Sequence, residues 1–364
     1  MLKNKKISNG IKIGIFDPYL DDIGGGERYM MTVASCLSKK NSVDIFWNDA
    51  KDLENIKKRF SLDLSKVSLK GNIFAQSFPF LKRFWLSWDY DIIIVLSDGS
   101  IPVLLSKKLI LHIQQPIVHK LTLKDKLKLR RVNKVICNSL YTKKFIEGSF
   151  NVSTQLLYPP ISIFGKNTKK ENIILHVGRF RIINVKSEDY KKQQIMIDLF
   201  KKMIDKGLSG WRFIMAVSLD DVNDKKFINM KSSASGYPIE FLINSSNDKL
   251  WKEGSKAKIY WHATGFGEDL EKNPQLAEHF GISTVEAMGA GIVPVVISAG
   301  GQLEIVKDRE NGFLWSDLLE FEQKTMELIN DDKLRRQMSE KSFERAKFFS
   351  EENFCKKVQE IIND

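Results

Sequence analysis

Short apolar runs alternate with longer amphipathic segments along almost the whole chain. An apolar run of about four to eight residues is typical of a buried strand, and apolar residues three or four positions apart are typical of a helix. The run Ile11–Phe16 and the periodic segment Glu27–Ser38 form the first strand–helix pair. The pattern restarts with the strand Asn172–Val177 and the helix Tyr190–Lys206. Such alternation predicts parallel sheets with helices on both faces.

The remaining predicted elements continue these two series. The other predicted strands are Val43–Trp47, Lys66–Gly71, Ile92–Leu96, Leu109–Ile113, Lys134–Cys137 and Thr154–Tyr158 in the first series, and Trp211–Ser218, Ile239–Leu242, Lys258–His262 and Val293–Ile297 in the second. The other predicted helices are Thr284–Ala290, Glu320–Asn330, Asp332–Phe349 and Glu351–Ile362. Between the series, Tyr158-Pro159-Pro160 and the polar stretch Gly165–Glu171 favour a linker.

We therefore expect an α/β fold of two tandem Rossmann-like, doubly wound domains that face each other across a cleft. The chain has 364 residues, and domains of about 100–200 residues are the norm. The predicted domains are residues 1–165 and 166–345, and residues 346–364 are expected to form a helix that packs back toward the first domain. Open α/β sheets bind ligands at the carboxyl ends of their strands, so we expect a nucleotide-bearing substrate in the cleft.

Composition excludes several classes of protein. Hydrophobic residues make up 43% of the chain and charged residues 28%, which excludes wholesale disorder. Cys36, Cys137 and Cys355 are widely separated, so we expect neither a disulfide framework nor a structural zinc site, but a reducing, cytoplasmic location. The basic N-terminus lacks the apolar stretch of a signal peptide, and no apolar run approaches the ~20 residues that span a bilayer.

The segment Glu278–Met288 carries the strongest chemical signal. Glu278 and Glu286 flank seven residues, with Phe280-Gly281-Ile282 just before a predicted helix. The amide N–H groups at the start of that helix suit a diphosphate, and the two carboxylates suit sugar and ribose hydroxyls. The alternative is that both glutamates are capping and solvent-facing residues of an ordinary helix.

Several motifs in order resemble one enzyme family. Besides Glu278–Met288 and the stretch Gly300–Val306, they are His176–Phe180 (HVGRF), Gly24–Arg28 (GGGER), Asn138-Ser139 and Trp261–Glu268. Together they resemble the retaining glycosyltransferases of family 4, which have the GT-B fold. The resemblance implies a metal-independent enzyme with a nucleoside diphosphate sugar as donor substrate and no cofactor. In that family, the departing phosphate is held to deprotonate the acceptor hydroxyl on the front face of the sugar.

The resemblance also implies roles for individual residues. Arg179 and a downstream lysine would neutralise the donor diphosphate; counting back from Phe200 favours Lys191, with Lys192 as the alternative. A solvated lysine pair is the structural alternative. The implied donor-binding residues are Gly25, Gly26, Arg179, Lys191, Lys192, Phe280, Gly281, Ile282, Thr284 and Glu286, and the implied catalytic residues are Glu278, Arg179, Lys191, His112 and Gln114.

The sequence does not decide whether His112 or Gln114 contacts the transferred sugar. The family usually carries a histidine two residues before a proline, and here Gln114 stands in that position before Pro116, with His112 two residues earlier. Either side chain could contact the transferred sugar, since both would point to the same face of a strand. A buried structural role for His112 is the equal alternative.

The positive charge of the chain is concentrated in its first half. The net charge is +12, and residues 1–165 hold 26 Lys and Arg against 14 Asp and Glu, so the second half is neutral. The surplus is densest in Lys120–Lys134, where leucines alternate with lysines, and the segment Phe78–Trp88 is rich in aromatic residues. This mixture suits peripheral binding to an anionic membrane at its cytoplasmic face. Alternatively, the aromatics belong to the core and the lysines to a solvated face.

The sequence thus predicts a retaining, metal-independent glycosyltransferase of cell-surface or lipid-linked glycan synthesis. The motifs look most like mannosyltransferases of lipid-linked oligosaccharide assembly, which favours GDP-mannose over a UDP-sugar, and a glycan or lipid-linked acceptor. We expect no nucleic-acid partner. The alternatives are a nucleotide-sugar epimerase on the same fold and a non-catalytic protein that binds glycans or nucleic acid.

Overall fold

The computed structural model describes residues 10–22, 24–163, 168–181 and 189–364. The chain forms two compact units: Met1–Pro160 together with Glu351–Asp364, and Ile161–Ser350. The sequence places its domain boundaries at residues 165 and 345. Residues 165–167 of the expected linker lie outside the described ranges, as do residues 182–188 between Arg179 and Lys191 and the basic N-terminus, residues 1–9.

The first unit is built on a seven-stranded parallel sheet with the strand order β3-β2-β1-β4-β5-β6-β7. Its strands are β1 (Lys12–Phe16), β2 (Ser42–Phe46), β3 (Val67–Lys70), β4 (Ile92–Leu96), β5 (Lys108–Ile113), β6 (Lys134–Cys137) and β7 (Gln155–Leu156). The helices described in this unit are α1 (Gly25–Ser38), α2 (Ala50–Phe60), α3 (Phe80–Trp88), α4 (Leu123–Leu129), α5 (Leu140–Phe150) and α13 (Glu351–Asn363). The strand order turns back at β1, which pairs with both β2 and β4.

The strands of this sheet are buried on both faces, which explains their nearly continuous apolar sequences. Along β4, Ile92 and Ile94 belong to a core that also contains residues of α1 and α13. Ile93 and Val95 belong to a second core on the opposite face. Successive side chains of a strand point to opposite faces, so one strand feeds both cores.

The C-terminal helix α13 packs on α1 in the first unit. Cys36 of α1 and Cys355 of α13 form a disulfide, with their Cα atoms 5.3 Å apart across a sequence separation of 319. This single bond departs from the expectation of a reducing location, in which all three cysteines would be thiols. The spacing of the cysteines carried no sign of it, because only the packing of α13 on α1 brings them together. Cys137 is a buried thiol.

The second unit is built on a six-stranded parallel sheet with the order β10-β9-β8-β11-β12-β13. Its strands are β8 (Ile173–Arg179), β9 (Arg212–Ser218), β10 (Ile239–Ile243), β11 (Ile259–His262), β12 (Val293–Ile297) and β13 (Phe313–Trp315). The described helices are α6 (Gln193–Asp205), α7 (Lys225–Ser233), α8 (Asn247–Gly254), α9 (Ile282–Gly289), α10 (Gln302–Ile305), α11 (Leu318–Asn330) and α12 (Asp332–Lys347), with a short 3-10 turn at Pro274–Leu276. The sequence pattern did not predict β13, which has only three residues.

All strands of the second sheet run in the same direction, so their carboxyl ends share one edge. β8 ends at Arg179 and its neighbour β11 ends at His262. The chain leaves this edge into the loops that precede α6 and α9. This geometry gathers the residues of the donor motifs at one edge of the second unit. Among the described residues, we find no helix with the length and apolar character needed to cross a membrane.

Candidate functional site

Glu278 lies at the centre of a polar cluster in the second unit. Its Oε2 accepts a hydrogen bond from Lys191 Nζ at 2.7 Å and lies 3.0 Å from His262 Nε2. Thr264 Oγ1 is 3.2 Å from the same imidazole nitrogen. Lys191 precedes α6, His262 ends β11 and Glu278 precedes α9, so three separate elements supply the cluster.

The charges in this cluster follow from its burial and its ion pair. Burial alone would raise the pKa of Glu278, but the charge of Lys191 and the hydrogen bonds from His262 and Lys191 outweigh it and hold that pKa well below its usual range. Burial would lower the pKa of Lys191, but the charge of Glu278 raises it. Burial lowers the pKa of His262, although the hydrogen bond to Glu278 and the charge of Glu278 act in the opposite direction. The cluster is therefore an ammonium–carboxylate pair with a neutral imidazole, whose Nε2–H donates to Glu278.

Asp189 and Tyr190 fix Lys191 in this position. The Asp189 carboxylate accepts the backbone N–H of Lys191 at 2.9 Å and also caps the first turn of α6 at Gln193 and Gln194. The Tyr190 hydroxyl donates to the carbonyl of Ala277, the residue before Glu278, at 3.0 Å. The start of α6 is thus bonded to the loop that carries Glu278. The sequence pattern does not single out either residue, because a polar pair before a helix is common and carries no specific signal.

The two candidate lysines have different partners. Lys192 is buried, its Nζ lies 2.5 Å from Glu268 Oε1, and its backbone has a φ of +56°. A left-handed residue at the helix start turns the chain, so consecutive side chains leave in different directions. Lys191 therefore reaches Glu278, whereas Lys192 reaches Glu268.

Glycines allow a close backbone approach at the start of α9. Gly281 has a φ of +114°, and a Cβ there would lie 2.7 Å from Gln302 Nε2. A Cβ on Gly301 would lie 2.4 Å from the Phe280 Cα, and the Gly301 N–H donates to the Glu278 carbonyl at 2.7 Å. Gly301 and Gln302 therefore pack directly against the backbone that joins Glu278 to α9.

The other predicted donor residues of this segment differ in exposure. The Phe280 ring is buried against Phe349, with ring centroids 5.4 Å apart. Ile282 is half-buried, whereas Thr284 and Glu286 are buried within α9. Phe280 thus contributes packing, and Ile282 and Ser283 in the first turn of α9 are half-buried.

Arg179 is the last residue of β8 and is half-exposed. Its guanidinium lies 3.9 Å from the Asp220 carboxylate. His176, earlier in the same strand, is buried, and its Nδ1 lies 3.0 Å from the carbonyl oxygen of Trp261. Burial lowers the pKa of His176 to about 3, so this histidine is neutral. It links β8 to β11 through its contact with the Trp261 carbonyl. Arg179 and the Glu278 cluster therefore stand at the ends of neighbouring strands.

The glycine loop of the first unit lies against Gln114. The Gly24 N–H donates to Glu27 Oε2 at 2.8 Å at the start of α1, where Gly25 is exposed. Gln114 Nε2 lies 3.4 Å from the Gly26 carbonyl oxygen, and a Cβ on Gly26 would come within 2.8 Å of Gln114 Oε1. The structure therefore brings together the glycines and the amide that replaces the family histidine.

His112 lies in the apolar core of the first unit. Its ring stacks on Tyr29, with centroids 4.3 Å apart, and it is surrounded by Ile110, Ile136 and Val358. Burial lowers its pKa to about 3. This position agrees with the structural alternative for His112 and gives no support to a contact with the transferred sugar. Of the pair, Gln114 is the residue that lies at the glycine loop.

Asp17 is a buried carboxyl group that the sequence pattern does not single out. It follows β1 and is only 1% exposed; its Oδ1 accepts the Tyr19 N–H at 3.0 Å, but its Oδ2 has no hydrogen-bond partner among the described residues. Burial and the charge of Glu27 raise its pKa to about 7. An aspartate before a proline usually belongs to an exposed turn, so nothing in the sequence marked it.

Within the described ranges, no group of three or more His, Cys, Asp and Glu side chains is arranged to hold a metal ion.

A family model and curated proteins match this chain. The model described as "Glycosyl transferases group 1" matches residues 161–345, half of the chain. A GDP-Man:Man(3)GlcNAc(2)-PP-Dol alpha-1,2-mannosyltransferase of Dictyostelium discoideum is 25% identical over 257 residues, which cover 63% of this chain and 47% of that protein. The protein of the same name from Xenopus laevis is 27% identical over 201 residues, 50% of this chain and 38% of that protein. The chain thus aligns with less than half the length of these relatives.

Solved structures match over nearly the whole chain. The Anabaena protein HepE, in complex with UDP and glucose, has a TM-score of 0.70 at 17% identity and covers 97% of this chain and 99% of its own. A glycosyltransferase from Rickettsia africae has a TM-score of 0.72 at 15% identity, covering 97% and 98%. A sucrose-phosphate synthase from Thermosynechococcus elongatus has a TM-score of 0.69 at 12% identity, covering 97% and 98%. These likenesses show the fold, which is the GT-B fold.

Proposed function

The chain belongs to the glycosyl transferases group 1 family, and we propose that it is a retaining glycosyltransferase that moves a sugar from a nucleoside diphosphate donor to a lipid-linked glycan. The second unit holds the donor, and the acceptor is bound by the first. The observation that carries this proposal is the ion pair between Lys191 and Glu278 beside the start of α9.

Each part of that cluster suits one part of the donor. A carboxylate that stays ionised accepts hydrogen bonds from sugar hydroxyls, and Glu278 is kept ionised by its two neighbours. Cations and helix-start amides stabilise the charge that grows on a departing diphosphate. Lys191, Arg179 and the first turn of α9 supply both. Of the two lysines we assign this role to Lys191, because Lys192 is buried on Glu268.

The positive charges of Lys191 and Arg179 suit a transfer in which a diphosphate departs. The bond between the anomeric carbon and the diphosphate oxygen breaks, and the acceptor oxygen forms a new bond on the same face of the sugar. The acceptor proton passes to the departing phosphate oxygen. Lys191 and Arg179 supply the positive charge for the departing diphosphate, so the proposed reaction is metal-independent.

Two observations bear on the substrates. The curated relatives are named as GDP-mannose-dependent enzymes that act on a dolichol-linked oligosaccharide, which supports GDP-mannose and a lipid-linked acceptor. HepE, which shares the fold, was solved with UDP and glucose, so the fold alone does not select the base. We place the enzyme at the cytoplasmic face of a membrane, where such an acceptor would be reached.

A donor panel tests the proposal. The full chain is incubated with GDP-mannose, UDP-glucose and UDP-GlcNAc, with and without a polyprenyl-linked oligosaccharide, and in the presence and absence of a chelator. We expect mannose transfer that needs the acceptor, survives the chelator and gives an α-linked product by NMR. A donor isomerised without acceptor would instead show an epimerase, and donor binding without turnover would show a non-catalytic protein. A β-linked product would contradict retention.

A further inference from the structure

Helix α3 of the first unit exposes a stripe of large apolar side chains. Leu81, Trp85 and Trp88 are spaced four and three residues apart, so they lie on one face of the helix. They are 73%, 76% and 66% exposed. Exposed apolar residues scattered singly are ordinary, but a continuous stripe with two tryptophans marks an interaction surface.

The opposite side of α3 is hydrogen-bonded to two loops of the first unit. Ser87 is buried, and its Oγ accepts the N–H of Leu105 at 3.0 Å. Arg83 Nε donates to the carbonyl of Ile73 at 2.7 Å. Since these contacts orient the helix, the tryptophan stripe faces outward as part of the native packing.

Helix α4 carries a second exposed pair with a basic border. Leu123 and Leu127, one helical turn apart, are 81% and 61% exposed. Lys120, Lys124, Lys126 and Arg130 around them are also exposed. The acidic residue of this helix, Asp125, is paired with Lys128 and does not offset these exposed cations.

The two helices cover the same face of the first sheet. Phe78, just before α3, and Leu129 at the end of α4 pack against one core cluster. Arg131, just after α4, donates to the carbonyls of Leu104 and Ser106, and Leu105 between them is bonded to Ser87 of α3. The loop 104–106 therefore joins the apolar stripe to the basic helix.

We propose that α3 and α4 together form a docking surface for an anionic lipid bilayer. Tryptophan and leucine enter the headgroup region, and the lysines of α4 contact lipid phosphates. A lipid surface fits better than a protein partner, because apolar stripes bordered by exposed lysines match the layered chemistry of an anionic interface. This inference goes beyond the proposed reaction, since it depends on no residue of the donor site.

Vesicle co-sedimentation of the full chain tests the surface. We expect binding to phosphatidylcholine vesicles to rise when phosphatidylglycerol is added and to fall as salt is raised. The variant L81A/W85A should lower the vesicle affinity by about tenfold or more, because two apolar side chains no longer enter the interface. The variant K124Q/K126Q should remove most of the dependence on anionic lipid.

Matched variants in the second unit serve as controls. Leu319→Ala removes an exposed apolar side chain, 61% exposed, and K225Q/K226Q removes two exposed lysines. Both should bind vesicles like the unchanged protein. Thermal unfolding of each variant confirms folding, and donor hydrolysis without vesicles should be unchanged by all of them.

Three outcomes would overturn the proposal. Binding that ignores phosphatidylglycerol, or that the control variants weaken as much as the α3 and α4 variants, would remove the bilayer as the partner. A change in oligomeric state with L81A/W85A, without a change in vesicle binding, would instead show an interface between copies of the chain. None of these results depends on whether the donor is GDP-mannose, so the surface and the proposed reaction fail separately.

Discussion

Lys191 and Glu278 are 87 residues apart in the sequence, and their side chains meet at 2.7 Å. The contact joins the start of α6 to the loop before α9, and both side chains are less than one-fifth exposed. It lowers the pKa of Glu278 and so favours its carboxylate form, and it positions the Lys191 ammonium. The pair is both a structural link within the second unit and the centre of its proposed chemistry.

Replacing Glu278 should therefore impair transfer in a protein that still folds. Glu278→Gln keeps the shape but removes the charge, and kcat/KM should fall on the order of a hundredfold or more, since the charged hydrogen bonds to the sugar are lost. Leaving the Lys191 ammonium without its charged hydrogen-bond partner should cost about 1–3 kcal/mol, measured by urea unfolding. Glu268→Gln is the matched control, because it breaks the Lys192 pair instead. Equal losses of activity in the two variants would refute the assignment of Glu278.

The same activity assay should distinguish Lys191 from Lys192. Lys191→Gln should lower kcat strongly, because it removes a cation beside the departing diphosphate. Lys192→Gly should retain most of the activity, since glycine adopts the left-handed backbone at that position without strain. Steady-state kinetics with the identified donor measures both. If Lys192→Gly were the inactive variant, the phosphate contact would belong to Lys192.

Asp17 should make stability depend on pH in a defined direction. Its pKa is raised to about 7, so the folded state holds the proton more tightly than the unfolded state does. The folded state is therefore favoured most at low pH and loses this advantage as pH rises from about 4 to about 7. Asp17→Asn removes the effect, so its gain in free energy of unfolding should be about 2–3 kcal/mol larger at pH 8 than at pH 5. A gain that is the same at both pH values would show that Asp17 ionises normally.

The disulfide should stabilise the first unit and leave one protected thiol. The double variant C36S/C355S, or the reduced protein, should lose about 3–5 kcal/mol in urea unfolding, because the bond closes a very long loop. Thiol titration of the non-reduced protein should detect Cys137 alone, and only after denaturation, since it is buried. Detection of three thiols without reductant would contradict the bond. The variant C137S, which keeps the bond, is the control for the loss of a cysteine.

Much of the secondary structure could be predicted because it depends on local pattern. Strands such as Ile92–Leu96 and Val293–Ile297 are buried on both faces, so they must be apolar along their whole length. The strand β13 was not predicted, because a strand of three residues is too short to show a pattern of apolar and polar positions. The order of strands in each sheet depends on crossovers that periodicity does not record.

The candidate site divides in the same way. The residue types and spacing of Glu278–Glu286 and Arg179 pointed to a donor site, and the structure places them at one edge of the second sheet. The roles of Tyr190 and Asp17 carried no local signal, because each depends on a neighbour brought close by folding. The sequence left His112 and Gln114 open; the burial of His112 against Tyr29 distinguishes their positions.

The sequence by itself determined the α/β class, the positions of most strands, the donor motif and the basic character of the first half. These properties depend on residue type and on neighbours a few positions away. Only the tertiary structure decided that Lys191 meets Glu278, that Cys36 meets Cys355, and that α3 turns its tryptophans outward beside the lysines of α4. Such relationships arise from packing between distant segments, where burial and proximity set charge, bonding and exposure.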